Sequence, residues 1–212
     1  MAKKWIGYIG VGSLMCAALG CGILYTRQAR LQQTISDKVL RFHVLANSDS
    51  EADQNLKLAV RDAVGSFMQE KLTDVENLEE CELVVRQSLG EIEEAAAETI
   101  AENGYDYDVT AELEHTSFPV KNYGSYTFPA GDYEALRIVI GEGNGHNWWC
   151  VMYPNMCFSD SMYEVVDEEA GEKLRKVLTT EEYEKVLAEG GYQVRMKYFS
   201  WLNPYLEKLA EN

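Results

Sequence analysis

Residues 39–64 read VLRFHVLANSDSEADQNLKLAVRDAV. Val39, Leu40, Phe42, Val44 and Leu45 make a short apolar run of the kind that buried strands carry, and the polar turn Asn47-Ser48-Asp49 closes it. Ser50 followed by Asp53 has the spacing of a capping box, with Asp in place of Glu. It opens a helix on which Leu56, Val60, Ala63, Val64 and Phe67 recur at spacings of three and four. Strand, polar turn and helix therefore follow one another directly at the start of the folded part of the chain.

Working outward, the spacing predicts a second helix over 78–103, with Leu78, Val85, Leu89, Ile92, Ala96 and Ile100 on one stripe and Gly104 at its end. Glu79, Glu80, Glu91, Glu93, Glu94 and Glu98 fall mostly on the other side, as a solvated face. From Tyr105 the period changes to two, through Tyr107, Val109, Ala111 and Leu113. Further strands are predicted at 119–128, 133–142 and 147–153, parted by Pro129-Ala130-Gly131-Asp132 and the glycine-rich Gly141 to Gly145. Such short connections suit an antiparallel meander. Two helices follow, at 168–178 and 180–189, the second opened by Thr179 with Glu182. Pro204 breaks any single element through 192–209. The expected fold class is α+β: an antiparallel sheet of about four to five strands packed with helices, preceded by an N-terminal hydrophobic export segment.

That segment is Trp5 to Tyr25, 21 residues without a charge, flanked by Lys3 and Lys4 on one side and Arg27 and Arg30 on the other. Its length suffices to span a bilayer core of about 30 Å as a helix. The charged start and apolar run also match a secretory signal, with Ala18 and Gly20 as small residues before a cut at Cys21. Cleavage and retention both stay open. The stretch from Thr26 to Asp37 reads as a polar tether. The division expected is residues 1–30 as signal or transmembrane segment with tether, and 31–212 as one extracytoplasmic domain, since 212 residues leave no room for two cores.

With 35 acidic against 19 basic residues the net charge is −16, and no acid precedes Asp37. Such a domain is repelled by nucleic acid and by anionic lipid, so neither is expected as a partner of the folded part; membrane contact is expected only through residues 5–25.

Four constellations could carry chemistry. Asn47, Asp49, Glu51 and Asp53 alternate as calcium ligands do, but Ala52 and Leu58 occupy the positions that need Gly and Glu, and no metal is expected. Gly141-Glu142-Gly143-Asn144-Gly145 lacks the Lys and Ser/Thr of a phosphate loop and reads as a strand connection. His146 and Cys150 admit a nucleophile and base, yet on one strand they stand roughly 13 Å apart. Cys150 with Cys157 admits a disulfide around Pro154-Asn155, two buried thiols, or part of a metal site. Cys81 reads as a core residue of the second helix. Trp148 and Trp149 point to opposite faces of their strand, one toward the core and the other available to a partner.

The segments RFHVLANSDSEADQNLKLAVRDAV (41–64) and FPVKNYGSYTFPAGDYEALRIVIGEGNGHNWWCVMYPNMCF (118–158), with the apolar N-terminal run, closely resemble the stage II sporulation protein R family of endospore formers. The chain departs from the family pattern at His43, where Arg is common. The resemblance implies a signalling protein made in the forespore and exported into the space between the two membranes of the sporangium. There it would switch on a membrane aspartic protease of the mother cell, which cleaves the pro-form of the early mother-cell sigma factor. No catalytic residue and no cofactor are implied. The candidate partner-binding surface is Asn47, Ser48, Asp49, Asp53, Gln54, His146, Asn147, Trp148 and Trp149. The rival is an envelope hydrolase using Cys150 with His146 or a metal.

Overall fold

The computed structural model describes residues 25–156 and 168–187, together with Gly20 and Gly22. Residues 25–36 are helical (α1), so the stretch read as a polar tether carries regular structure, and its Ile35 is buried. There follow β1 (Leu40–Leu45), α2 (Glu51–Lys71), α3 (Leu78–Glu102), β2 (Val109–Phe118), β3 (Lys121–Tyr123), β4 (Tyr126–Phe128), β5 (Gly131–Ile140), β6 (Asn147–Tyr153), α4 (Glu168–Val177) and α5 (Thr180–Val186). The export segment, Cys157 and the 192–209 stretch lie outside the described residues. Among the described residues no helix is long and apolar enough to cross a membrane.

The main sheet has four strands in the order β2-β5-β1-β6, and it is mixed. β2 pairs antiparallel with β5, β5 pairs parallel with β1, and β1 pairs antiparallel with β6. The antiparallel meander predicted from short connections is therefore corrected. β5 and β6 are consecutive in the chain but β1 lies between them, because β1 is buried along almost its whole length and belongs in the centre. The predicted strand 119–128 is corrected too. β2 runs on to Phe118, and β3 and β4 form a separate two-stranded hairpin turning at Gly124 (φ 57°), the left-handed conformation that a two-residue hairpin loop requires.

Each face of the sheet has its own core. Leu40, Phe42 and Val44 of β1, with Leu136, Ile138 and Ile140 of β5 and Cys150 and Met152 of β6, pack against α2 and α3. Alternate residues point the other way, where Phe118, Phe128, Tyr133, Val151 and Ile35 meet Leu174, Leu178, Tyr183 and Val186. Cys81 lies in the first core, as its stripe on α3 demands. The acidic face of α3 is solvated except at Glu93, whose carboxylate accepts from the Ala111 N–H at 2.8 Å and ties helix to sheet.

The predicted helix starts hold. Ser50 caps α2, its hydroxyl accepting from Asp53 N at 3.1 Å. The box is not reciprocal, because the Asp53 carboxylate turns to Asn47 and Ser48 instead of back to Ser50. Thr179 and Glu182 do form the full box at α5, and Glu182 also accepts from Lys38 Nζ at 2.6 Å, which fastens α5 to the start of β1.

Candidate functional site

The topology dictates where the polar loops meet. β1 and β5 are parallel, so their C-terminal ends share one edge of the domain, and β6 starts from that same edge. The β5–β6 connection, residues 141–146, must then cross over the end of β1, directly above Ala46, Asn47 and Ser48. Gly145 N donates to Ala46 O at 2.9 Å, Asn144 N to Asn47 O at 3.1 Å, and Glu142 N to Asn47 Oδ1 at 3.0 Å. The crossing is tight enough that a Cβ at Gly145 would overlap the Ser48 carbonyl, and one at Gly141 the Asn47 amide. Close approach, more than loop flexibility, accounts for these glycines.

Side chains complete the weld. Asp53, buried at the first turn of α2, accepts from Asn47 Nδ2 at 2.9 Å and from Ser48 Oγ at 2.5 Å. Those bonds, Ser48 first, hold its carboxyl below the ordinary value. Asp49 Oδ1 accepts from the His146 backbone N–H at 2.6 Å and lies 2.5 Å from His146 Nδ1, and the His146 contacts lower its pKa. The imidazole itself stands out in solvent, its side chain 81% exposed. Gln54 Nε2 donates to Ser48 O at 3.0 Å. Lys57 Nζ donates to Gln54 Oε1 at 2.5 Å and to His146 O at 3.1 Å, and burial pulls its pKa down. Lys57 belongs to this cluster although it is not among the residues expected from the sequence; its place three residues after Gln54 on one helix face is the signal that could have found it.

Asn47, Ser48, Asp49, Asp53, Gln54 and His146 are thus one unit, whereas Asn147, Trp148 and Trp149 lead away from it along β6. Trp148 packs edge-on against Phe42 (5.5 Å) beneath Arg61 (5.1 Å), on the α2 side. Trp149 stacks on His43 (5.0 Å, 5° between planes) on the other side. The opposite facing of the two indoles is as predicted, but both are half-buried and neither is freely presented.

Cys150 is disulfide-bonded and only 3% exposed. Its predicted partner Cys157 lies outside the described residues. A bonded, buried sulfur on the α2–α3 side of the sheet offers no thiolate, and the His146 ring is engaged by Asp49 on the surface. The Cys150 and His146 pair of the hydrolase reading is not brought together.

Sequence reading missed a second polar group, inside the other core. Arg41 and His43 alternate with the apolar residues of β1 and are both buried. Burial, then the charges of Arg137 and Arg41, push the His43 pKa down to about 4, against an upward pull from the Asn147 amide that stops short of hydrogen-bond geometry.

A mixed four-stranded sheet with two helices on one face, a hairpin and shorter helices on the other, and a welded polar loop cluster at one edge defines the molecule as an α+β domain. The chain belongs to the stage II sporulation protein R family, whose family model matches residues 36–163, from the end of α1 past β6. It is similar to the stage II sporulation protein R of Bacillus subtilis (strain 168), 40% identical over 156 residues that cover 73% of this chain and 70% of that protein. No solved structure matches it.

Proposed function

We propose that this protein is an exported signal of endospore formation, made in the forespore and delivered by residues 5–25 to the space between the sporangial membranes. There it binds a membrane aspartic protease of the mother cell and favours its active state, so that the pro-form of the early mother-cell sigma factor is cleaved. Family membership is the observation that carries this reading. An activator of this kind works only through a higher affinity for the active form than for the inactive one.

The loop cluster supports the choice of surface. Asp49 and His146 stand at the surface on a backbone already fixed by the crossing at Gly145 and by Asp53, so little ordering entropy is left to lose on binding. The test is co-expression with the protease and its pro-sigma substrate in a host that does not sporulate. Cleavage should depend on this protein, and unchanged cleavage without it sinks the proposal.

A further inference from the structure

Arg41 heads the largest fully buried side chains of the described residues. It lies on the sheet face beneath the β3–β4 hairpin. Nη2 donates to the Tyr123 hydroxyl at 2.9 Å, while Nε and Nη1 have no partner. Its guanidinium carbon lies 4.5 Å from the ring centre of Phe118, 5.0 Å from Tyr133 and 5.3 Å from Phe128. Rings stabilise the cation but cannot accept its N–H bonds as a carboxylate does.

The unpartnered atoms are concentrated. Arg41 Nε and Nη1, both nitrogens of His43 and Asn147 Oδ1 are the buried side-chain polar atoms without a hydrogen bond among the described residues. All belong to odd-numbered residues of β1 and β6, which face the same side of the sheet. Lys121 of β3 stands at the rim. It is half-buried, its Nζ 5.6 Å from the Trp149 ring centre, and it feels the Arg41 charge. Neither cation has an ion pair among the described residues, in a chain where acids outnumber bases 35 to 19. Acidic side chains are abundant, yet none of those described is paired with either cation. A buried charge without an ion-pair partner weakens a fold, and its unsatisfied donors call for an explanation.

We propose that the sheet face beneath β3–β4 is a binding site for a carboxylate, held by Arg41 at its floor and Lys121 at its rim, beside Trp149 and Tyr123. Arg41 is fully buried, so a carboxylate reaches it only when the β3–β4 hairpin lifts beside Lys121; the hairpin has three residues in each strand and pairs with no strand of the main sheet. The carboxylate comes either from a free small acid or from an acidic side chain of a protein segment. The site is separate from the loop cluster at the sheet edge and does not depend on the signalling proposal.

The test is thermal unfolding of the full chain in detergent at pH 7, with sodium chloride replaced by sodium propionate at equal ionic strength. A saturable rise of about 3–6 °C is expected at a tenfold excess over the dissociation constant. Lys121→Gln should remove at least half of it. Arg41→Met should remove all of it, while unfolding in chloride at the same or a higher temperature than the parent, because an apolar side chain replaces an unpaired cation. A glutamate-containing peptide that saturates at lower concentration than propionate, and lower than its glutamine counterpart, identifies a protein segment as the source; the reverse order identifies a free acid. Equal unfolding in chloride and propionate overturns the proposal. So does a rise undiminished by Lys121→Gln, or an Arg41→Met chain that unfolds well below the parent in chloride, which makes Arg41 a structural residue of the core.

Discussion

The backbone of Gly145 passes so close to the Ser48 carbonyl that a single added methyl group would overlap its oxygen. Gly145→Ala should therefore lower stability by about 1–3 kcal/mol, the cost of overpacking a rigid contact. Gly90, on α3 with open space around it, is the matched control, and Gly90→Ala should raise stability by about 0.5–1 kcal/mol. Urea unfolding of the two variants beside the parent checks both signs.

Asp53 joins the start of α2 to the end of β1 through Asn47 and Ser48. Asp53→Asn removes a charge-assisted acceptor and should cost about 1–3 kcal/mol. Its carboxyl pKa is depressed from 3.8 in the fold, so the stabilisation is present above that value and is lost as pH falls through the lower folded one. The variant should accordingly lose less stability than the parent on acidification below pH 4.

His43 produces a different window. Its pKa falls from 6.5 to about 4 on folding, so the unfolded chain binds the proton first. The neutral form carries no penalty above pH 6.5, and stability declines as pH drops from there toward 4. From a shift of this size the loss between pH 7 and 4.5 is about 2–3 kcal/mol. His43→Phe should remove that part of the pH dependence, measured by urea unfolding at the two pH values; an identical pH profile in the variant would show that the imidazole is not responsible.

Cys81 is buried in the α2–α3 core and its pKa is pushed up to about 12, mainly by burial. Little thiolate exists at neutral pH, and access is closed. Mass spectrometry of the Cys81 peptide should find it unlabelled by iodoacetamide in the native protein and fully labelled in guanidinium chloride.

If Asp49 and His146 form the docking surface, Asp49→Ala and His146→Ala should reduce sigma-factor cleavage in the co-expression assay by tenfold or more. The melting temperature of His146→Ala should stay near the parent's, since that side chain is largely exposed, while Asp49→Ala should melt slightly lower for loss of its bond to the His146 N–H. Full cleavage by both variants would move the surface elsewhere.

Much of the local structure was legible. β6 coincides with its predicted range, α3 with its predicted stripe, and Ser50 and Thr179 cap the helices they were expected to open. Caps and periodicity are written within a few residues of each other. The Gly124-Ser125 pair between aromatic residues is a hairpin signal, but the apolar spacing over 119–128 predicts a single strand there. Strand order was not legible, because placing β1 between β5 and β6 is decided by how much apolar surface each strand buries after the chain has closed on itself.

By itself, then, the sequence determined β1, β6 and the helices α2, α3, α4 and α5, the residues that cap α2 and α5, and that Asn47 to Asp53 is a polar turn into a helix; the helix at 25–36 and the β3–β4 hairpin it did not. Only the tertiary structure decided that residues 141–146 cross that turn and that Gly145 must be glycine, because the crossing follows from a parallel pairing of strands some ninety residues apart. Only it, too, decided that Arg41 and His43 are buried. The apolar run around them says nothing of what covers their side of the strand, and they lose water because the hairpin and the two C-terminal helices cover that face.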